Sequence, residues 1–183
     1  MTYLNCFMIF IQNITLLWCS DYMHKVLLPK RVMEVLDHSG YHSKYYISDD
    51  EYEEMLAFYH ERGFKLTDNI KDIIRVFGNR EIRYNNNYSK ARKSNYEVSF
   101  SLRSIWGNFK QFSFELMEAR IERHESTYSL KGLVPIAIMP SGPMTYFIDN
   151  NENIYAFIDD LIVTYKGNAT WTSIEKWFNG DRV

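Results

Sequence analysis

Thiol chemistry is nearly absent from this chain. Its two cysteines, Cys6 and Cys19, both precede Met23, so the main body lacks the material for a disulfide, a zinc–thiolate site or a cysteine nucleophile. That usage fits a reducing compartment, of which the cytoplasm is the simplest. The eight glycines never cluster, which excludes a glycine-rich loop that would cradle phosphate. A net charge of only −2 gives no bulk attraction to nucleic acid or to an anionic membrane. The apolar stretch Leu4 to Trp18 is interrupted by Gln12 and Asn13 and falls short of the roughly 20 residues that cross a bilayer. No Lys or Arg precedes it, and Trp18 stands where export cleavage requires a small residue. Regular patterning starts at Met23, so residues 1–22 are expected to be an atypical apolar extension, either upstream of a true start at Met23 or a genuine extra strand or helix, with residues 23–183 forming one domain. No membrane partner is expected unless that extension is exported.

Apolar surface, by contrast, is abundant. With 46% hydrophobic residues, 14 Tyr and 12 Phe in 183 residues, the chain can bury about 70% of its unfolded surface in a single core. Pro29 opens and Gly40 closes a first predicted helix with Val32, Val35 and Leu36 on one face. Ser48-Asp49-Asp50-Glu51 has the capping-box form, and Gly63 ends the helix that follows. Thr67 or Asp68 starts a third, in which Ile70, Ile73, Ile74 and Phe77 recur at i, i+3, i+4 and i+7 up to Gly78. Alternating segments Glu81–Tyr84 and Glu97–Leu102 predict strands on either side of a polar loop. A helix over about Phe114 to His124 comes next. Four further strands are predicted at Leu133–Ile138, Met144–Ile148, Ile154–Ile158 and Leu161–Tyr165. Thr170 or Thr172 can cap a last helix, Glu175 completing the box of Thr172, and Gly180 ends it. The expected fold class is α+β: N-terminal helices, an antiparallel β-meander and a closing C-terminal helix over one sheet face.

Several blocks in this order resemble the third subgroup of the SUKH superfamily. "RVMEVLDHSGYHSKYYIS" is similar to the subgroup's opening, where a short helix ends in an alanine-glycine-tryptophan-like corner; here the corner is Ser39-Gly40-Tyr41. "LVPIAI", "YFIDNNENIYAFIDDLIVTYKGN" and "WTSIEKWFNG" are similar to its closing pattern of Pro-Ile strand, hairpin, glycine and capped helix. The subgroup's strand usually continues Pro-Ile-Gly, whereas this chain has Pro135-Ile136-Ala137. The resemblance spans about Val32 to Gly180. It implies an immunity protein of a bacterial polymorphic toxin system: a non-enzymatic chain that binds and neutralises a cognate toxin domain, often a nuclease, by occlusion.

The residues offer little chemistry of their own. Asp149, Asn151 and Asn153 would suit positions 1, 3 and 5 of a calcium loop, but Ile154 stands where a sharp turn needs Gly and Asp160 where a bidentate Glu belongs; a five-residue hairpin turn is expected instead. His38 and His42 have helical ligand spacing, yet Gly40 falls between them. Ser141 lacks the preceding glycine of a nucleophile elbow, and the adjacent carboxylates Asp159 and Asp160 point apart in a strand or turn. No enzyme activity, cofactor, metal or small-molecule substrate is therefore expected.

Charge placement is more informative. Asp49, Asp50, Glu51, Glu53 and Glu54 put five acids within six positions, partly because anions favour a helix N-terminus. Asp149, Glu152, Asp159 and Asp160 form a second possible acidic rim on hairpin turns. The candidate partner-binding residues are thus Asp49, Asp50, Glu53, Glu54, Asp149, Glu152, Asp159 and Asp160, which could present a phosphate-like face to a basic nuclease groove. Two alternatives stand beside this reading. One is a general protein-interaction or regulatory module of the same fold. The other is a weak nucleic-acid binder using Arg80, Arg83, Lys90, Arg92 and Lys93 with Tyr84, Tyr88 and Tyr96 as stacking groups.

Overall fold

A computed structural model of the chain describes residues 27–42, 44–86, 94–107, 116–159 and 161–183. The N-terminal extension, the centre of the Asn85–Asn95 loop, the expected start of the fourth helix and Asp160 lie outside the described residues. Three helices come first: α1 (Lys30–His38), α2 (Asp49–Glu61) and α3 (Asp68–Phe77). Ser48 forms the expected capping box, its hydroxyl accepting from the Glu51 N–H while the Glu51 carboxylate accepts from the Ser48 N–H. Thr67 caps α3 through the Ile70 N–H.

Six antiparallel strands follow in sequential order: β1 (Glu81–Asn86), β2 (Ser94–Ser99), β3 (Val134–Ile138), β4 (Thr145–Ile148), β5 (Ile154–Ile158) and β6 (Leu161–Tyr165). The seam between β2 and β3 rests on one residue pair, Ser99 with Ile138. Helix α4 (Met117–Tyr128) precedes β3, and α5 (Thr170–Asn179) closes the chain. The α+β class and the element order are as the sequence implies. Three local readings are corrected. A π-helical turn at Arg103–Gly107 occupies the region after β2, which stops at Ser99 rather than Leu102. Helix α4 continues past His124 to Tyr128, where Ser129 takes a left-handed conformation with φ 55°. Neither Thr170 nor Thr172 caps α5; Ala169 occupies that position and offers no side-chain oxygen.

Alternation along the strands separates two apolar layers. Ile82, Tyr84, Val98, Tyr146, Ile148, Ile154, Ala156 and Tyr165 face α1, α3 and α5. Phe147, Tyr155 and Phe157 face the opposite way, against Met117 and Ile121 of α4 and Ile105 of the π turn. The sheet is therefore covered on both faces across its C-terminal half. The outer edge of β1 is sheathed by side chains. Arg31 donates from Nη2 to Asn85 O at 2.5 Å, Ser39 Oγ accepts from the Arg83 N–H at 2.9 Å, and Tyr41 donates to Glu81 O at 3.4 Å. Unpaired strand edges template aggregation, and here the end of α1 and the corner beyond it block one. Gly40 makes the corner possible with φ +90°, a conformation that strains any residue bearing a Cβ.

Buried phenols give the fold a definite alkaline limit. Tyr59 is 1% exposed and donates to Pro135 O at 2.7 Å, and Tyr84 and Tyr146 are as deeply buried. Burial raises the pKa of all three above the ordinary value of about 10; Tyr146 and Tyr165 reinforce the shift at Tyr84, while at Tyr146 the charge of Tyr165 reinforces it and the hydrogen bond with Tyr84 opposes it. A folded-state pKa above the unfolded one means that stability is intact below about pH 10 and is lost as pH rises towards the folded values, since only the unfolded chain can ionise there. Unfolding free energy is expected to be flat up to about pH 10 and then to fall by about 1.4 kcal/mol per pH unit for each of the three tyrosines. Urea denaturation across this range, read alongside tyrosinate absorbance, checks it: the last phase of ionisation, that of the buried phenols, should coincide with unfolding.

Candidate functional site

The eight acidic residues singled out by sequence play different parts. On α2 the capping box starts the helix at Asp49, and Met55 and Tyr59 pin its inner face to the core. This orientation turns Asp50, Glu53 and Glu54 outwards, all exposed. Asp49 forms an ion pair with Arg75 of α3. Among the described residues Asp50, Glu53 and Glu54 have no ion-pair partner, nor has Glu51, which is held by Ser48, so the start of the helix carries four unpaired acids beside the paired Asp49.

The hairpin turn between β4 and β5 is built differently. Asp149 is 4% exposed. Its Oδ1 accepts from the N–H groups of Asn151 at 2.9 Å and Asn153 at 2.8 Å, and its Oδ2 from Asn153 Nδ2 at 3.0 Å and the Tyr155 hydroxyl at 2.9 Å. Both oxygens thus serve the turn itself, as the short polar side chains of turns do, and the five-residue turn joins the two strands as expected. This negative charge also holds the Tyr155 proton: burial first, then the Asp149 hydrogen bond, raises the pKa of that phenol.

Glu152 reaches out of the same turn to two helices. Its Oε2 accepts the Thr170 N–H at 2.7 Å and its Oε1 the side-chain amide of Asn69. A residue distant in sequence therefore caps α5, which explains why no local cap is needed there. The close approach of Asn150 to Gly132, where a Cβ would collide with the Asn150 side-chain amide, fixes the far side of the turn.

The second acidic rim does not assemble as one surface. Asp159 is exposed in the β5–β6 turn, at the other end of β5 from Glu152, and five residues of strand separate them by about 17 Å. Asp160 lies outside the described residues. Nor do the two acidic groups converge: Asp49 sits at Arg75 and Glu152 at Asn69, six residues apart on α3 and so about 9 Å along its axis.

The basic loop is also redistributed. Tyr84 is buried in the core and stacks on Tyr96 at 5.5 Å, so it is not available to a nucleic-acid base. Arg83 pairs with Glu97 across the strands at 3.5 Å. Arg80 is 7% exposed, with its guanidinium 4.5 Å over the Tyr41 ring and Nη1 donating to Tyr45 O at 3.2 Å. Tyr88, Lys90, Arg92 and Lys93 lie outside the described residues.

Three features escaped the sequence pattern. Trp106, on the π turn, packs edge-on against Phe58, Tyr59 and Phe64, with the Arg62 guanidinium 3.4 Å above Phe58. His124 is fully buried and stacks on Phe157 at 3.8 Å, with Arg120 Nε donating to its Nε2 at 3.2 Å. Arg80 is the third. Only the apolar periodicity of α4 could have signalled His124, which shares its face with Met117 and Ile121. No group of three His, Cys, Asp or Glu that could hold a metal occurs among the described residues, and none of their helices is long and apolar enough to cross a membrane. In comparisons with known proteins, no family model, no curated protein and no solved structure matches this chain.

Proposed function

We propose that this protein is a cytoplasmic immunity protein of the SUKH kind, one that binds a cognate bacterial toxin domain, a nuclease being the fitting class, and neutralises it by occlusion without chemistry or a cofactor of its own. The observation that carries the reading is the outward face of α2. Asp50, Glu53 and Glu54 are exposed and uncompensated among the described residues, on a helix held rigidly by Met55 and Tyr59. A nuclease groove is basic because it holds a polyanion, and a fixed acidic face complements it and accelerates encounter. Further support comes from the blocks that carry the family resemblance, which fall on β3, the β4–β5 hairpin and α5.

The test is co-expression with the toxin domain encoded beside the gene, followed by measurement of the isolated complex. Growth is expected to be restored and a complex recovered. Asp50→Lys, Glu53→Lys and Glu54→Lys together are expected to weaken binding by roughly ten- to a hundredfold, chiefly through a slower on-rate at low salt, with the circular dichroism spectrum unchanged. Failure of the wild-type protein to protect or to form a complex would remove the immunity reading. An unaltered affinity in the triple variant would remove α2 as the contact face.

A further inference from the structure

The loop between α1 and α2 and the short connection from α3 to β1 enclose a cleft of about 600 Å³. Its walls include Tyr41, Tyr45, Ser48, Glu51, Lys44 and Arg80. We propose that this cleft is a binding site for a small ligand that joins a carboxylate or phosphate to a planar ring. Such a ligand would be held rather than converted, and the site borders α2 only at Ser48 and Glu51, apart from Asp50, Glu53 and Glu54.

Arg80 carries the argument. Three guanidinium groups of the fold meet carboxylates, Arg31 with Glu34, Arg75 with Asp49 and Arg83 with Glu97. Arg80 is almost wholly buried and meets none within ion-pair distance among the described residues; its contacts are one backbone carbonyl and the face of Tyr41. Removing a cation from water is costly unless an anion accompanies it. Burial accordingly lowers the Arg80 pKa, with Tyr41 and Glu51 acting in the opposite sense.

The neighbouring acids are held by other donors, Glu51 within the cleft wall and Asp37 outside it. Glu51 Oε2 is held by the N–H and hydroxyl of Ser48 at 3.2 and 2.8 Å, and Asp37 by the Tyr45 hydroxyl at 3.1 Å. Lys44 is exposed on the cleft wall and has no ion pair among the described residues. A guanidinium fork set in the wall with an ammonium nearby is suited to an oxyanion. The rings of Tyr41, Tyr45 and Tyr46 line the same space and suit a flat apolar body, and the volume lies within the range of small-molecule sites.

Phenyl phosphate and benzoate, with benzyl alcohol as the neutral control, are to be titrated into the full chain at low salt and followed by calorimetry and by tyrosine resonances. At least one anion is expected to bind saturably at one site, shifting signals of Tyr41 and Tyr45, while benzyl alcohol does not. Tighter binding of either anion supports the site and names its oxyanion. Lys44→Ala, an exposed change that leaves the core intact, is expected to weaken binding about three- to tenfold. Arg80→Lys, which keeps the charge but loses the fork, is expected to weaken it more than tenfold. Absence of saturable binding by both anions, equal binding of the alcohol, or an affinity unchanged by Lys44→Ala would overturn the proposal. The measurement needs no toxin, so its failure is distinct from failure of the immunity reading.

Discussion

Replacing Trp177 with alanine is expected to cost about 3–5 kcal/mol of folding stability, far more than any exposed substitution on the same helix. Trp177 is 1% exposed at the centre of the layer that α5 builds on the sheet. Its ring lies 4.3 Å from that of Tyr146, 5.2 Å from Phe178, 5.8 Å from Phe100 and 6.4 Å from Tyr84. Four stiff aromatic rings belonging to a helix, two strands and the residue after β2 cannot collapse into the vacated space. The transfer loss is therefore joined by nearly the whole cavity term. Typical domains hold about 5–15 kcal/mol in total, so the melting temperature should fall by roughly 6–20 °C for a chain of this size. Trp177→Phe retains a ring between Tyr146 and Phe100 and is expected to lose less than half as much. Urea titrations of the two variants check this, and a loss below about 1 kcal/mol for the alanine variant would show that α5 is not docked through this residue.

Asp149→Ala is expected to cost about 3 kcal/mol, because a charged acceptor serving several buried donors is removed at once. The Asn153 N–H, the Asn153 side-chain amide and the Tyr155 hydroxyl would be left facing a methyl group, in a turn where Asn153 and Tyr155 are both buried. Asp149→Asn restores one acceptor but aims an NH₂ group at existing donors, so it should fall between the alanine variant and the wild type. Asp159→Asn makes the matching control. Asp159 is exposed with φ 50°, a conformation that Asn tolerates, and its change should stay within about 0.5 kcal/mol. Equal effects at the two positions, measured by chemical denaturation, would contradict the structural role of the buried carboxylate.

That pair of aspartates shows what the sequence could and could not reveal. Local signals were readable because they depend on neighbours in the chain. The Ser48 box, the Ile70-Ile73-Ile74-Phe77 stripe, the alternation at Glu81–Tyr84 and the four C-terminal strand segments all correspond to observed elements. The π turn at Arg103–Gly107 gives no sequence signal because its inward residues, Ile105 and Trp106, are adjacent and create no period. The end of α4 was misplaced because Ser129, unlike a glycine, gives no warning of a left-handed residue. Roles of charged residues depended on partners far along the chain. Asp50 and Asp149 look alike in sequence, yet one faces solvent and the other is enclosed by its own turn. Glu152 meets Asn69 and Thr170 only after the sheet has formed. Arg80 read as one of a basic run, whereas it is set apart from that run beneath Tyr41.

The lone pairing between Ser99 and Ile138 makes the β2–β3 boundary the mechanical weak line of the sheet. Force applied across it would be borne by α5, which spans from β1 to β5 and β6 like a splint, rather than by a ladder of hydrogen bonds. Under tension the β1–β2 hairpin should therefore shear away as a unit while the β3–β6 meander stays whole. The bond from the Phe100 N–H to the Arg80 carbonyl prolongs the β1–β2 ladder beyond the pair of Glu81 and Ser99, so the departing hairpin keeps its own clasp.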